Sequence, residues 1–379
     1  MASKTLITGA GGYLGALIAH RFVFDLNEPV LLWIHADSEA QAAEKIARLQ
    51  PVYAGYEHLI TWGWGALEAD DPFSRIATED IVAIIHCAAI YHFNITEDVA
   101  RRVNVEGTRK VLEFATRCPK LEHVSLLSSF YASGLMAGII PEAPLTPDHT
   151  DGFTNAYERS KASSEDELLA RPDLPWNIYR VGLVIADDAS GRVTQFNAFH
   201  RTLGLFHDGY LSVMPGDPDS KLYLVTGKFV ARAVVDLVRA RQRHRIVNVV
   251  HSPEHGLSTR AIINTMFEVF ESDPQYRRLQ FPRPIWTDHE GFELLMEGLS
   301  GLGSPRVRKA LANVALFARQ MFVHKVAVNR NLVDSLPWYE PENQALLVRR
   351  TCEFLMRHQF GRASRPIAET IQTLSGAGV

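Results

Sequence analysis

Over roughly the first two-thirds of the chain, short apolar runs alternate with amphipathic stretches. Runs rich in β-branched residues and leucine predict strands at Thr5–Thr8, Val30–Ile34, Leu59–Trp62, Ile81–His86, His123–Ser128, Asn177–Val181 and Ile246–Val250. Between the early ones, Leu14–Phe24, Ser38–Leu49, Val99–Thr116 and Ala156–Ala170 repeat their apolar positions at helical spacing. Strand, helix and strand in succession require right-handed crossovers, and the result is a parallel sheet covered on both faces. Beyond about Gly182 the alternation becomes irregular, because Gly191, Gly204, Gly209, Pro215, Gly216 and Pro218 break the chain into loops and short elements. After Pro274 the pattern is mainly helical, with Val307–Val323 and Ala345–Arg357 as its better helices. The expected fold is α/β: a doubly wound parallel sheet with a smaller, mainly helical C-terminal lobe. Residues 1–182, with returning segments to about 250, are assigned to the sheet domain, and a discontinuous 183–379 to the lobe.

The 379 residues, 46% of them hydrophobic, can bury a large core. A net charge of -4 gives no electrostatic push toward nucleic acid or acidic membranes. The basic run Arg239, Arg241, Arg243 and Arg245 reads as a solvated helix end leading into a strand. Cys87, Cys118 and Cys352 have no metal-ligand spacing and fit a reduced compartment. His251, His255, His289 and His324 offer no metal spacing either, so no metal is expected. No apolar stretch approaches the roughly 18 residues of a membrane span, and the first strand begins too near Met1 to leave room for a secretory leader. A soluble, cytoplasmic protein is expected.

Candidate chemistry begins at Thr8-Gly9-Ala10-Gly11-Gly12-Tyr13-Leu14-Gly15, between the first strand and the first helix. Glycines at 9, 12 and 15 suit a tight turn, close backbone approach to a pyrophosphate, and close helix–strand packing. The helix N-terminus then offers N–H groups and partial positive charge to phosphates. Gly9, Gly12, Tyr13, Leu14 and Gly15 are therefore candidate cofactor contacts. Further along, Tyr157 and Lys161 stand at i and i+4 on one helix face. An ammonium beside a phenol favours the phenolate and draws its pKa down from about 10. Ser128-Ser129 closes the fifth strand, at the carboxyl edge where open parallel sheets bind ligands.

The Gly-x-x-Gly-x-x-Gly spacing resembles the extended short-chain dehydrogenase/reductase family, whose cofactor domain is a Rossmann fold. His86-Cys87-Ala88-Ala89 resembles its small-residue run against the cofactor, which adds Ala88 and Ala89 to the candidates. Asn104-Val105-Glu106-Gly107-Thr108 is similar to its Asn-Val-x-Gly-Thr helix, whose Asn helps to hold the active-site helix and a proton relay. The resemblance implies Tyr157 as general acid/base, and Lys161 as the residue that tunes it and binds the nicotinamide ribose. Ser129, five residues before Gly134, matches the substrate-orienting Ser; Ser128 is the other candidate.

Val30 to Ile46, with Met214-Pro215-Gly216-Asp217-Pro218-Asp219, resembles the fatty acyl-CoA reductase and thioester reductase branch. In place of that branch's phosphate-gripping Arg stands His35, with Asp37 nearby. The branch implies NADP, whereas an Asp37 carboxylate accepting from a ribose hydroxyl implies NAD; NADP is favoured slightly. Gly65-Ala66-Leu67 occupies the place of the branch's Gly-Asp-Leu, so the carboxylate that meets the adenine there is missing, and Leu67 is a further cofactor candidate. Arg48 is either a phosphate contact or a solvated helix residue. The leading expectation is NAD(P)H-dependent reduction of a carbonyl in a hydrophobic substrate, free or as an acyl thioester on coenzyme A or a carrier protein. Alternatives are a keto/hydroxy oxidoreductase on a free small molecule, a sugar-nucleotide enzyme, and a non-catalytic dinucleotide sensor. A homodimer follows by analogy with the family, and no nucleic-acid partner is expected.

Overall fold

A computed structural model describes residues 3–91, 95–145, 152–302, 308, 312, 314–315 and 317–361. Seven strands form its central sheet: β1 (Lys4–Thr8), β2 (Val30–His35), β3 (Ile60–Gly65), β4 (Ile81–His86), β5 (His123–Ser129), β6 (Trp176–Val181) and β7 (Arg245–Val249). These are the seven strands that the sequence pattern predicts, with ends shifted by up to three residues, the most at Gly65 where Trp62 is expected. Every pairing is parallel, in the order β7-β6-β5-β4-β1-β2-β3. The chain starts mid-sheet, runs outward to β3, then returns to lay β4 to β7 on the other side. The reversal falls between β1 and β4, where departing crossovers open a crevice at the carboxyl ends.

The strands lack polar alternation because both faces are buried. Ile7, Leu32, Ile85, Leu127, Tyr179 and Val247 belong to one core, and their immediate neighbours Leu6, Leu31, Ile84, Leu126, Ile178 and Ile246 to the opposite one. On the first face lie α1 (Tyr13–His20) and α6 (Gly227–Arg239); α3 (Gly107–Thr116) covers the second. The remaining labelled helices are α2 (Glu39–Leu49), α4 (Ala156–Leu169), α5 (Ala198–His207), α7 (Thr259–Ser272) and α8 (Gln344–Arg357). A third core gathers Leu203 and Phe206 of α5, Phe267 and Phe270 of α7, and Leu347 and Leu355 of α8.

Helix α6 ends at Arg239 and β7 starts at Arg245, so the arginine run is the solvated joint between them. Of the helix expected over Val307–Val323, residues 308, 312, 314–315 and 317–318 are helical and Arg319–Phe322 forms a short 3-10 turn, while 307, 309–311, 313 and 316 lie outside the described residues. Farther on, Lys325–Ala327 pairs in parallel with Gly138–Ile140 and so brings the late chain beside the turn after β5. Among the described residues no helix is long and apolar enough to cross a membrane.

Candidate functional site

A cavity of ≈ 940 Å³ opens over the carboxyl ends of the strands around the reversal. Its floor is the glycine loop. Gly9 adopts φ +69, and a Cβ there would meet the Ala88 nitrogen at 2.7 Å. At Gly15 a Cβ would lie 2.3 Å from the Gly9 carbonyl oxygen, whereas at Gly12 the nearest atom is 3.1 Å away. Gly9 and Gly15 are therefore needed for packing, and Gly12 leaves room above the loop. No side chain caps α1, and its first turn holds no acidic residue. Helix-end N–H groups above a glycine floor fit the pyrophosphate of a dinucleotide.

Gly9, Gly12, Tyr13, Leu14, Gly15, His35, Leu67, Ala88, Ala89, Ser129, Tyr157 and Lys161 all line this cavity; Asp37 and Asn104 do not. Ala36 is buried, and its N–H donates to the Gly65 carbonyl. Strand alternation then turns Asp37 outward to 67% side-chain exposure, 3.7 Å from His35 Nε2. The expectation of Asp37 on a ribose hydroxyl is not supported by this placement. Lys45 and Arg48 line the rim instead, with Leu49. Their i, i+3, i+4 spacing on α2 was the available signal. It left Arg48 open and passed over Lys45, because a charged helix face is usually just solvated. Leu67 lies against Gly107, where a Cβ would come within 3.0 Å of it.

Asn104 works from behind the cavity. Its Oδ1 accepts from Ile90 N at 2.8 Å, and its Nδ2 donates to Ile90 O at 2.9 Å and to Ser160 Oγ at 2.8 Å. Both ends of the amide are thus committed to tying the β4 exit to α4, a positioning role. A polar chain runs beside it. Thr108 donates to Asn104 O at 2.6 Å, so it accepts from His86 Nε2 at 3.1 Å, and His86 Nδ1 accepts from Thr8 at 2.7 Å. Burial, with the Lys161 charge nearby, pushes His86 down to about 3, which keeps it neutral.

The two serines point to different tasks. Ser128 donates to Glu165 Oε1 at 2.5 Å, and Glu165 pairs with the fully buried Arg180 at 2.6 Å. Ser129 starts the 3-10 turn Phe130–Ser133, and its Oγ accepts the Tyr131 N–H at 3.2 Å. Ser129 also hydrogen-bonds the Tyr157 phenol. Ser128 is therefore consumed by the core ion pair, and Ser129 is the one joined to Tyr157.

Lys161 does not act on Tyr157 in the way the sequence suggests. Its Nζ donates to Leu127 O at 2.9 Å, and burial pulls its pKa down to about 8. The phenol is pushed up to about 12 by burial, with the Glu158 charge adding to the rise and the Ser129 bond opposing it. The expected lowering of Tyr157 by its neighbouring ammonium is thus reversed here: burial raises the phenol, and the ammonium is bonded to a carbonyl.

Two buried acids at the cavity were not foreseen. Asp187 accepts from Tyr13 and Thr194, each at 2.8 Å, and from Arg192 at 3.1 Å; burial raises its pKa against those bonds. Glu158, at the third position of α4, accepts from Thr154 N and Gln320 Nε2, each at 3.0 Å. Glu158 alone had a sequence signal, since Asn155 three residues before it is a helix-capping spacing. Beyond these groups the cavity continues between apolar side chains of the third core, among them Phe196, Phe199, Leu203, Phe206, Met214 and Ile263.

Comparisons with known proteins agree with this geometry. Residues 67–234 match the family model described as male sterility protein. An isonitrile lipopeptide synthase of Streptomyces coeruleorubidus is 29% identical over 205 residues, 51% of this chain and 14% of that protein. The fatty acyl-CoA reductase wat of Drosophila melanogaster is 24% identical over 237 residues, 54% of this chain and 46% of that one. The matches thus span less than half the length of these relatives. Among solved structures, the terminal R domain from the myxalamid PKS-NRPS biosynthetic pathway superposes with a TM-score of 0.73 at 20% identity, over 96% of this chain and 93% of that one. The glycine loop at the reversal, the Ser129–Tyr157 pair with Lys161 beside it, and these matches converge: the chain resembles the NAD(P)-dependent enzymes of the extended short-chain dehydrogenase/reductase family, and among them the fatty acyl-CoA reductase and thioester reductase branch.

Proposed function

We propose that the protein reduces the carbonyl of a hydrophobic acyl thioester, carried on coenzyme A or a carrier protein, with NADPH as the preferred reductant. One observation carries this reading: a single cavity joins the glycine loop, the Ser129–Tyr157–Lys161 set and an apolar reach lined by Phe196, Phe199 and Phe206. Residues 1–182, with returning segments to about 250, serve as the cofactor domain in this reading, and the discontinuous remainder as the substrate lobe. Gly9, Gly12 and the start of α1 hold the pyrophosphate, and Ala88 and Ala89 border the crevice. Lys45, Arg48 and His35 at the rim favour a ribose phosphate, and Asp37, turned outward, no longer argues for NAD.

When bound, the dihydronicotinamide supplies the hydride. Ser129 and Tyr157 both donate to the substrate oxygen, and Tyr157 gives its proton to that oxygen as the carbon takes up the hydride; the hemithioacetal so formed loses that proton again as its C–S bond breaks, which releases the aldehyde and the free thiol. A phenol near pKa 12 is protonated throughout the neutral range, the form an acid needs at the outset. Lys161 holds the ribose and keeps positive charge at the site. The apolar reach takes the acyl chain and excludes water.

The test is NADPH and NADH oxidation with decanoyl-CoA and the matching pantetheine thioester. Thioester-dependent oxidation with a higher kcat/KM for NADPH supports the reading; tight cofactor binding without turnover overturns it. Tyr157→Phe should lower turnover by roughly 10²–10⁴-fold and leave NADPH affinity nearly unchanged. Wild-type rates in that variant are incompatible with its role as the acid.

A further inference from the structure

A second phenol stands in this site. Tyr131 lines the same cavity as Ser129 and Tyr157 and is half-buried. Its backbone N–H is fixed on Ser129 Oγ at 3.2 Å, so the two residues share one rigid turn at the end of β5. Its ring packs against Phe130 with centroids 6.3 Å apart. Among the described residues nothing hydrogen-bonds its hydroxyl, whereas Tyr157 has the Ser129 bond. The Glu158 charge acts on both phenols. Burial, with that charge, raises Tyr131 well above the ordinary phenol value, so it keeps its proton in the working range. A half-buried phenol that lines the cavity and bonds no described group leaves its hydroxyl free for what the cavity holds.

Resting on the reading above, we propose that Tyr131 is a further catalytic residue, whose hydroxyl donates a third hydrogen bond to the substrate oxygen as the carbonyl carbon becomes tetrahedral. A carbonyl oxygen has two lone pairs, which Ser129 and Tyr157 fill in the bound substrate. When the carbon goes from three to four substituents, the oxygen gains a third lone pair and negative charge. Tyr131 meets that third pair. It donates without transferring its proton, which comes from Tyr157. A bond made only in the transition state lowers the barrier without tightening the ground state.

The test is Tyr131→Phe in the full chain, with decanoyl-CoA and, separately, decanal as substrates. Because the lost hydroxyl bonds no described group, the melting temperature and the NADPH dissociation constant should stay at wild-type values. The expected result is a fall in kcat of about 10- to 100-fold at nearly constant KM with either substrate. Unchanged kcat, or a rise in KM alone, overturns the proposal. Reduction of decanal but not of the thioester by the wild type removes the thioester reading while still testing Tyr131 on the aldehyde. A wild-type protein that reduces neither overturns both.

Discussion

Lys161 keeps its ammonium in a place that resists charge. Burial lowers its pKa to about 8, and only the Cys87 and Glu165 influences oppose that fall. The charged form is the low-pH form, so a function that needs the ammonium is intact below about 8 and fades as pH rises through it. Because kcat/KM reports groups of the free enzyme, its pH profile for NADPH should show a basic limb near 8, falling about tenfold per unit above it. A flat profile to pH 9.5 would mean that the ammonium is not needed. Tyr157 cannot produce such a limb, since its own pKa lies near 12. The same environment thus separates the two groups, and the profile tells which of them limits the reaction.

Among the elements, the glycine loop shows why three glycines at equal spacing are unequal. Gly15→Ala drives a methyl to 2.3 Å from a backbone oxygen that cannot move without opening the loop. Gly12→Ala meets its nearest atom at 3.1 Å, a contact that small shifts relieve. Gly15→Ala should therefore lower the melting temperature sharply, and Gly12→Ala should fold nearly as wild type but bind NADPH more weakly. Equal melting temperatures for the two variants would contradict this ranking. The glycines themselves were legible because a strand, a loop and a helix have local signatures. The seven sheet strands were legible for the same reason: burial on both faces makes each a continuous apolar run. Helix α6 escaped, although Phe229, Val230, Val234, Leu237 and Val238 repeat at helical spacing, because it begins on Leu224-Val225-Thr226, a strand-like run. The outward turn of Asp37 and the lysine bond to Leu127 were not legible at all. Each depends on which way a side chain leaves the backbone after folding, and spacing along the chain carries no record of that.

At the scale of the whole molecule, the late chain comes back to lock what the early chain builds. Glu342 accepts from Thr226 N at 3.0 Å, from Thr226 Oγ1 at 2.6 Å and from His251 Nε2 at 3.1 Å. Thr226 is the N-cap of α6, and its Oγ1 in turn accepts the Phe229 N–H at 3.1 Å. One carboxylate from far along the sequence therefore secures the start of a helix that covers the sheet beside α1. Nearby, Asn329 donates to Val250 O at 3.0 Å and Asn331 to Ile246 O at 2.8 Å, so the same return path also grips the β7 edge. Removing the carboxylate leaves a backbone N–H and the fully buried His251 without their acceptor, a loss of about 2–3 kcal/mol for bonds to a charged group. Glu342→Ala should then speed amide hydrogen exchange in two separated stretches at once, the first turn of α6 and residues 325–342. The β1–β4 strands, which rest on their own helices, should exchange as in the wild type. Faster exchange near residue 342 alone would show that the return is held by its other contacts, and that α6 is capped sufficiently by Thr226.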